Sequence, residues 1–235
     1  MADSTSYEII KLSPLRKIIA ARMTEAKQTI PHFRVCTTVE MDSLLSLRNH
    51  HNTENPDRKI SVNDFIVKAG ANALMAVPEM NIQFVEGEIH RYRQADISVV
   101  IAVEGGLSTP VVRAAEQKSI YDISAEIKDF ANRAKLGQIK LPEITGGTFS
   151  ISNLGMYNID QFDAIINPPQ GAILAVAGTK PRVVSAIEND RQDFRISHCV
   201  KLSLSLDHRV LDGAVGAQFM NALREQLMRP EKLLV

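Results

Sequence analysis

Net charge is what this 235-residue sequence most plainly lacks, because 27 lysines and arginines face 27 aspartates and glutamates. A balanced chain has no electrostatic footprint for nucleic acid or an anionic membrane, so small molecules or other proteins are the expected partners. Apolar runs long enough to span a bilayer are missing too, and Met1 to Tyr7 has neither the basic start nor the apolar stretch of a signal peptide. A soluble protein of a reducing compartment is expected. Only two cysteines occur, Cys36 and Cys199, far apart and in no Cys-x-x-Cys pair. Nothing therefore indicates a disulfide framework or a cysteine metal site, and buried free thiols are the reading. Internal repeats and low-complexity linkers are also absent. With 45% hydrophobic content a chain of this length buries a sizeable core. We read residues 1–12 as an arm or linker remnant and residues 13–235 as one domain.

What is present is a run of alternating signals. Ser13-Pro14 followed by Leu15, Ile18, Ile19, Met23 and Ala26 predicts a capped helix that stops before Ile30-Pro31. Residues 33–39 alternate with β-branched side chains and predict a strand open on one side. Asp42 reads as a helix cap, and the polar residues 51–59 read as a long exposed loop. Ser61 with Asp64, and Ser119 with Asp122, form capping-box patterns ahead of apolar helical periods. A hairpin is expected around Glu86-Gly87, and the apolar run 97–103 reads as one strand covered on both faces. Further strands are expected at 148–152, 172–176 and 200–206, and a last amphipathic helix carries Val215, Phe219, Leu223 and Leu227 up to Pro230. Hairpins without a strict strand-helix-strand repeat predict an α/β (α+β) fold, a mixed β-sheet covered by helices.

Chemistry concentrates in Asp207-His208-Arg209-Val210-Leu211-Asp212-Gly213, where a strand ends and a helix begins. His208 is a base candidate near neutral pH or a satisfied structural histidine; Asp212 caps the last helix or holds a cation near the histidine. His32, His50, His51, His90 and His198 lack metal-ligand spacing and read as scattered surface residues, so no metal is expected.

His-x-x-x-Asp-Gly at 208–213 resembles the active-site motif shared by the dihydrolipoyl acyltransferases of 2-oxo acid dehydrogenase complexes and the chloramphenicol acetyltransferases. Residues 14–23, 106–111, 147–155 and 166–170 resemble the lipoyl branch in order and spacing, so the similarity runs nearly end to end. Asn158 departs from it, standing where close relatives often have glycine. The resemblance implies a chloramphenicol acetyltransferase-like fold and acetyl transfer between a dihydrolipoyl thiol and coenzyme A. It assigns His208 as general base, Ser152 as oxyanion donor, and Asp212 as keeper of the site geometry, with Arg16 as the chosen partner of Asp212.

The same resemblance implies a homotrimer with active sites between subunits, assembled into a larger cage. Expected partners are lipoyl domains, which would supply a lipoyl group from outside this chain, and the decarboxylase and dihydrolipoyl dehydrogenase components. The expected compartment is a bacterial cytoplasm or a mitochondrial matrix. Residues Leu233-Leu234-Val235, apolar after Pro230, are expected to dock into a neighbouring trimer. Succinyl or branched-chain transfer and a noncatalytic scaffold subunit stay as alternatives. A serine hydrolase using Ser152, His208 and Asp212 is disfavoured because Ser152 is not in a Gly-x-Ser-x-Gly elbow.

Overall fold

A computed structural model describes residues 7–188 and 191–234; residues 1–6 of the expected arm and Val235 of the expected tail lie outside the described residues. Helix α1 (Pro14–Thr29) starts as its sequence dictates, with the Ser13 hydroxyl accepting the Arg16 N–H at 3.2 Å and proline in the first turn. Extended backbone at Ile30 then leads into β1 (His32–Glu40). Next come α2 (Asp42–Glu54), α3 (Val62–Ala76) and the hairpin of β2 (Ile82–Val85) and β3 (Glu88–Arg91). Four short strands follow, β4 (Ile97–Val99), β5 (Ile101–Val103), β6 (Gly106–Ser108) and β7 (Val111–Val112), before α4 (Ile120–Lys135). The rest is β8 (Phe149–Asn153), β9 (Ala172–Val176), β10 (Lys180–Glu188), β11 (Arg191–Asp207) and α5 (Gly213–Met228).

The main sheet has the order β1-β11-β9-β8-β4-β7, with β10 beside the first half of β11. Strand β8 runs parallel to β4 and β9 while the other pairs are antiparallel, so the expected mixed sheet is what forms. Leu202, Leu204, Leu206, Leu174 and Ile151 lie in the main core, together with Phe65 and Ile66 of α3 and Phe219 and Leu223 of α5. On the opposite face Ile173 joins a smaller cluster with Ala26 and Ile30 from the end of α1 and with Ile166. Alternation along the strands produces this division, since successive side chains leave a strand on opposite sides. Among the described residues no helix is long and apolar enough to cross a membrane.

Several local expectations are corrected. Asp42 is the first residue of α2, and Met41 holds the cap position. The Asp42 carboxylate instead accepts from the His198 N–H at 3.1 Å, the His198 ring at 2.9 Å and the Ser197 hydroxyl, tying α2 to β11. The predicted loop at 51–59 is helix as far as Glu54, then a short 3-10 turn at Pro56–Arg58. Hydrogen bonds rather than apolar residues anchor it: buried His51 reaches the Tyr121 hydroxyl at 3.0 Å, and the Asn52 side chain bonds the Ile60 N–H and carbonyl, both at 2.9 Å.

The run 97–103 breaks in two at Val100, whose N–H goes to the Ile151 carbonyl at 3.0 Å, while β5 leaves to pair with β6. The Ser61–Asp64 capping box is complete, but Asp122 accepts the Ser119 hydroxyl instead of its N–H, leaving the second box half made. Cys199 is buried as expected, whereas Cys36 is exposed because β1 is an edge strand and Cys36 faces away from the main core.

The tail expectation is corrected at Leu233, because the 3-10 turn Pro230–Leu233 packs against α2, α3 and α5. Leu233 is 0% exposed in the main core and Leu234 packs against it. Leu233, filling that space inside its own subunit, is not free to dock in another. Leu233→Ala is accordingly expected to lower the unfolding free energy by about 2–5 kcal/mol in urea titration, and a loss under about 1 kcal/mol would contradict the burial.

Candidate active site

Strand β11 ends at Asp207, which pairs with His32 and gives its N–H to the Gly171 carbonyl at 2.9 Å. The chain then turns sharply, with the Asp207 carbonyl accepting the Val210 and Leu211 N–H groups at 3.1 and 2.9 Å. Asp207 is 1% exposed, and its carboxylate takes the Arg209 N–H at 3.0 Å and the Arg209 guanidinium at 2.7–3.1 Å. This paired, buried charge holds the guanidinium above its ordinary pKa, chiefly through the side-chain hydrogen bond. Arg209 also lies over the Phe84 ring, 4.6 Å from its centroid.

His208 stands at the crest of this turn, exposed. Its N–H donates to the Pro31 carbonyl at 3.1 Å, and its ring lies 4.9 Å from that of Phe33 at an interplanar angle of 54°. Phe33 also fits closely over Gly213, where an added Cβ would sit 3.3 Å from the ring. Among the described residues neither ring nitrogen of His208 has a hydrogen-bond partner, so both are available to a substrate. Asp212 caps α5, its carboxylate accepting the Ala214 and Val215 N–H groups at 2.9 and 3.0 Å.

Arg16 is not its partner within this chain. The residue is exposed in the first turn of α1, and only the far end of that helix leads to Pro31 and His208. The 16-residue helix places roughly 20 Å between those ends.

Ser152 is half-buried on β8, and its side chain has no hydrogen-bond partner among the described residues. In register it shares a row with Ala175, Ser203 and Cys36. That row lies four residues along β11 from Asp207 and two strands across. Strand rise and spacing convert this into about 13 Å along and about 10 Å across. One chain therefore does not bring Ser152 and His208 together.

The strand under Ser152 is held by a buried polar chain that sequence reading missed. Gln170 accepts from the Ser150 hydroxyl and donates to Ser98 Oγ at 3.0 Å, while Gln83 donates to the Gly147 carbonyl at 2.8 Å. Gln170 closes the Ile166-Asn167-Pro168-Pro169-Gln170 stretch, which was its only signal. Asn158 adopts φ +55°, a left-handed conformation that favours glycine and also suits asparagine, which accounts for its departure from glycine.

The other histidines are more structured than expected. His32 accepts the Ile166 N–H at Nε2 (3.1 Å), which leaves Nδ1 to donate to the Ile30 carbonyl at 2.9 Å. A groove of about 490 Å³ at Met75, Pro78, Arg91, Tyr92 and Arg93 includes none of the predicted site residues.

Residues 4–235 match the family model described as 2-oxoacid dehydrogenases acyltransferase (catalytic domain). The chain is 43% identical, over 97% of its length and 55% of the relative's, to the dihydrolipoyllysine-residue acetyltransferase component of the pyruvate dehydrogenase complex of Rickettsia conorii. It spans about half the length of that relative and of a similar one from Rickettsia bellii. A solved dihydrolipoamide acetyltransferase of Azotobacter vinelandii superimposes with a TM-score of 0.92 at 27% identity, covering 100% of this chain and 96% of its own. In that protein a serine, a histidine and an asparagine were investigated for their role in the catalytic mechanism. The cubic core of the pyruvate dehydrogenase multienzyme complex gives a TM-score of 0.92 at 26% identity with the same two coverages, 100% and 96%. A chloramphenicol acetyltransferase, 12% identical with a TM-score of 0.57 over 94% of this chain and 99% of its own, shares the fold.

Gly147 is where the buried chain beneath Ser152 is most sensitive, since an added Cβ would lie 2.1 Å from Ser98 Oγ and 2.9 Å from Gln170 Nε2. Gly147→Ala is expected to cost about 1–3 kcal/mol of stability, read as a lower thermal midpoint, and an unchanged midpoint would contradict the packing.

Proposed function

Because this chain belongs to the family of 2-oxo acid dehydrogenase acyltransferase catalytic domains, we propose that it moves an acetyl group from a dihydrolipoyl thiol to coenzyme A, with residues 13–235 as the catalytic domain. One observation carries this beyond family membership: His208 of the family motif is exposed on a turn whose N–H groups from Asp207 to Leu211 are all hydrogen-bonded, with both of its ring nitrogens unpartnered among the described residues.

A thiol with an ordinary pKa of about 8.5 is only a few per cent ionised at neutral pH, so a positioned base raises the supply of nucleophile. His208 takes the proton from the coenzyme A thiol. The thiolate attacks the carbonyl carbon of the acetyl thioester, and negative charge moves onto the oxygen. Ser152 donates a hydrogen bond to that oxygen, an interaction that strengthens as the charge develops. Collapse breaks the bond to the dihydrolipoyl sulfur, which recovers the proton from His208. Asp212 holds the start of α5 beside the histidine and thereby keeps the site in shape.

The separation of Ser152 from His208 within one chain supports a site shared between subunits of a homotrimer, with His208 from one and Ser152 from the next. By the same logic Arg16 reaches Asp212 only from a neighbouring copy. Exposed apolar side chains supply surface for such contacts: Leu15 and Ile18 on α1 are 48% and 58% exposed, and Phe194 and Ile196 on β11 are 66% and 73% exposed. Similarity to multienzyme cores supports assembly of the trimers into a larger core that meets lipoyl domains, the decarboxylase and the dihydrolipoyl dehydrogenase. A bacterial cytoplasm or a mitochondrial matrix is the matching compartment.

The test is to incubate the protein with acetyl-coenzyme A and dihydrolipoamide, then with succinyl-coenzyme A, and to measure the acyl-dihydrolipoamide formed. Faster succinyl transfer would overturn the acetyl assignment. His208→Ala is expected to reduce transfer by about a hundred- to ten-thousandfold with the fold intact, and turnover within about threefold of the parent would remove the histidine from the mechanism. Ser152→Ala is expected to lower kcat by about a hundredfold while leaving both KM values nearly unchanged. A raised KM for coenzyme A with untouched turnover would make Ser152 a binding residue instead.

A further inference from the structure

His208 is the exposed group on which the proposed chemistry depends, yet none of its hydrogen bonds among the described residues involves its ring. Phe33 touches one side of the imidazole, 4.9 Å between centroids, and a ring contact of this kind limits tilt without fixing direction. The backbone must therefore set the aim of the side chain. On either side of His208 in sequence stand Asp207 and Arg209, joined by four contacts of 2.7–3.1 Å, three between their side chains and one from the Arg209 backbone N–H to the carboxylate.

These contacts form an arc that spans His208. At one end is a carboxylate that is 1% exposed, on a residue anchored to Gly171, Val210 and Leu211 through its own backbone. At the other end the guanidinium is pinned over Phe84 at 4.6 Å. One of the four contacts comes from the Arg209 backbone N–H, so the peptide unit that follows His208 is itself held at 3.0 Å. The peptide unit before it is held by the His208 N–H on Pro31 at 3.1 Å. With both flanking peptides fixed, the Cα–Cβ direction of His208 is fixed as well.

We propose that Asp207 and Arg209 are positioning residues that aim the His208 imidazole through the backbone, and that Arg209 does not contact substrate. The inference rests on His208 being the catalytic base. Its geometry favours an internal role for the arginine, whose Nε and Nη2 both point at Asp207 and whose face is covered by Phe84. A planar fork is required for this clamp, which a lysine ammonium cannot reproduce.

Two variants of the full chain test it, Arg209→Lys, which keeps the charge and loses the fork, and Asp207→Asn with Arg209→Gln, which removes both charges together. Thermal melting reports folding, and kcat and both KM values are measured with acetyl-coenzyme A and dihydrolipoamide. We expect kcat to fall about ten- to a hundredfold, as small misplacements of a reacting group do, with each KM within about twofold of the parent. Placed on a His208→Ala background, Arg209→Lys should cause no further loss, because the pair acts through a ring that is no longer there.

A kcat within about twofold of the parent in a folded variant would overturn the proposal. So would a raised KM for acetyl-coenzyme A at unchanged kcat, which would mark a phosphate contact, or an equal loss on the His208→Ala background. If the double variant does not fold, Arg209→Lys decides alone. Should His208→Ala itself keep parental turnover, the histidine assignment fails and takes this one with it. An inactive His208→Ala beside a fully active Arg209→Lys removes only the positioning role.

Discussion

Strand β11 carries 17 residues of backbone pairing shared among β1, β9 and β10, and its alternation decides where every layer of the molecule goes. Leu202, Leu204 and Leu206 face the core, so α3 and α5 are bound to that side. Ser203 and Ser205 face the other way, where the end of α1 and the segment at Ile166 cover their row through Ile173. A slip of one residue would exchange the two sets and expose the leucines. The register also fixes the separation between Ser152 and His208, since both positions are counted from the same strand. The distance between these two candidate residues within a single chain follows directly from the sheet.

Buried charges perform a second kind of work, joining loops to the sheet. Asp96, 5% exposed, accepts from Arg113 at 3.0 Å and the Ala114 N–H at 2.8 Å. Arg113 in turn reaches the carbonyl of Gly146, just ahead of β8. Lys68 donates to the carbonyls of Glu116 and Lys118, and burial pushes its pKa down from the ordinary lysine value. Asp207 with Arg209 belongs to the same class. A buried charge is strongly penalised without a partner, so each of these groups holds its partner segment in one place. Such clamps are suited to loops that present reactive groups, where apolar packing is thin.

Local signals in the sequence match the structure where the responsible groups are neighbours. Ser13, Ser61 and Asp212 cap the helices that follow them, because a cap needs only the next two or three N–H groups. The hairpin at Glu86-Gly87 and the strand at Ala172–Val176 formed as expected. Where structure and local signal differ, the cause is a partner distant in sequence. Asp42 has the sequence position of a cap, but His198 and Ser197 claim its carboxylate from 155 residues or more away. The polar segment 51–59 lacks apolar anchors and has the sequence of a loop, although Tyr121 and Ile60 hold it by hydrogen bonds. The apolar run 97–103 carried no mark of the break at Val100, which Ile151 imposes from β8.

The candidate site divides along the same line. Sequence alone determined the starts of α1, α3 and α5, the mixed character of the sheet and the family, and it singled out His208, Asp212 and Ser152 as candidates for the chemistry. These are properties of residue identity and short-range spacing, which survive in a linear chain. Tertiary structure alone decided that Ser152 and His208 stand apart, that Asp212 spends its carboxylate on α5, that Leu233 returns to its own core, and that Asp207 is buried against Arg209. Each of those outcomes depends on strand register or on which segment covers another. Both are set by the summed burial of the whole sheet, which no local run of residues contains.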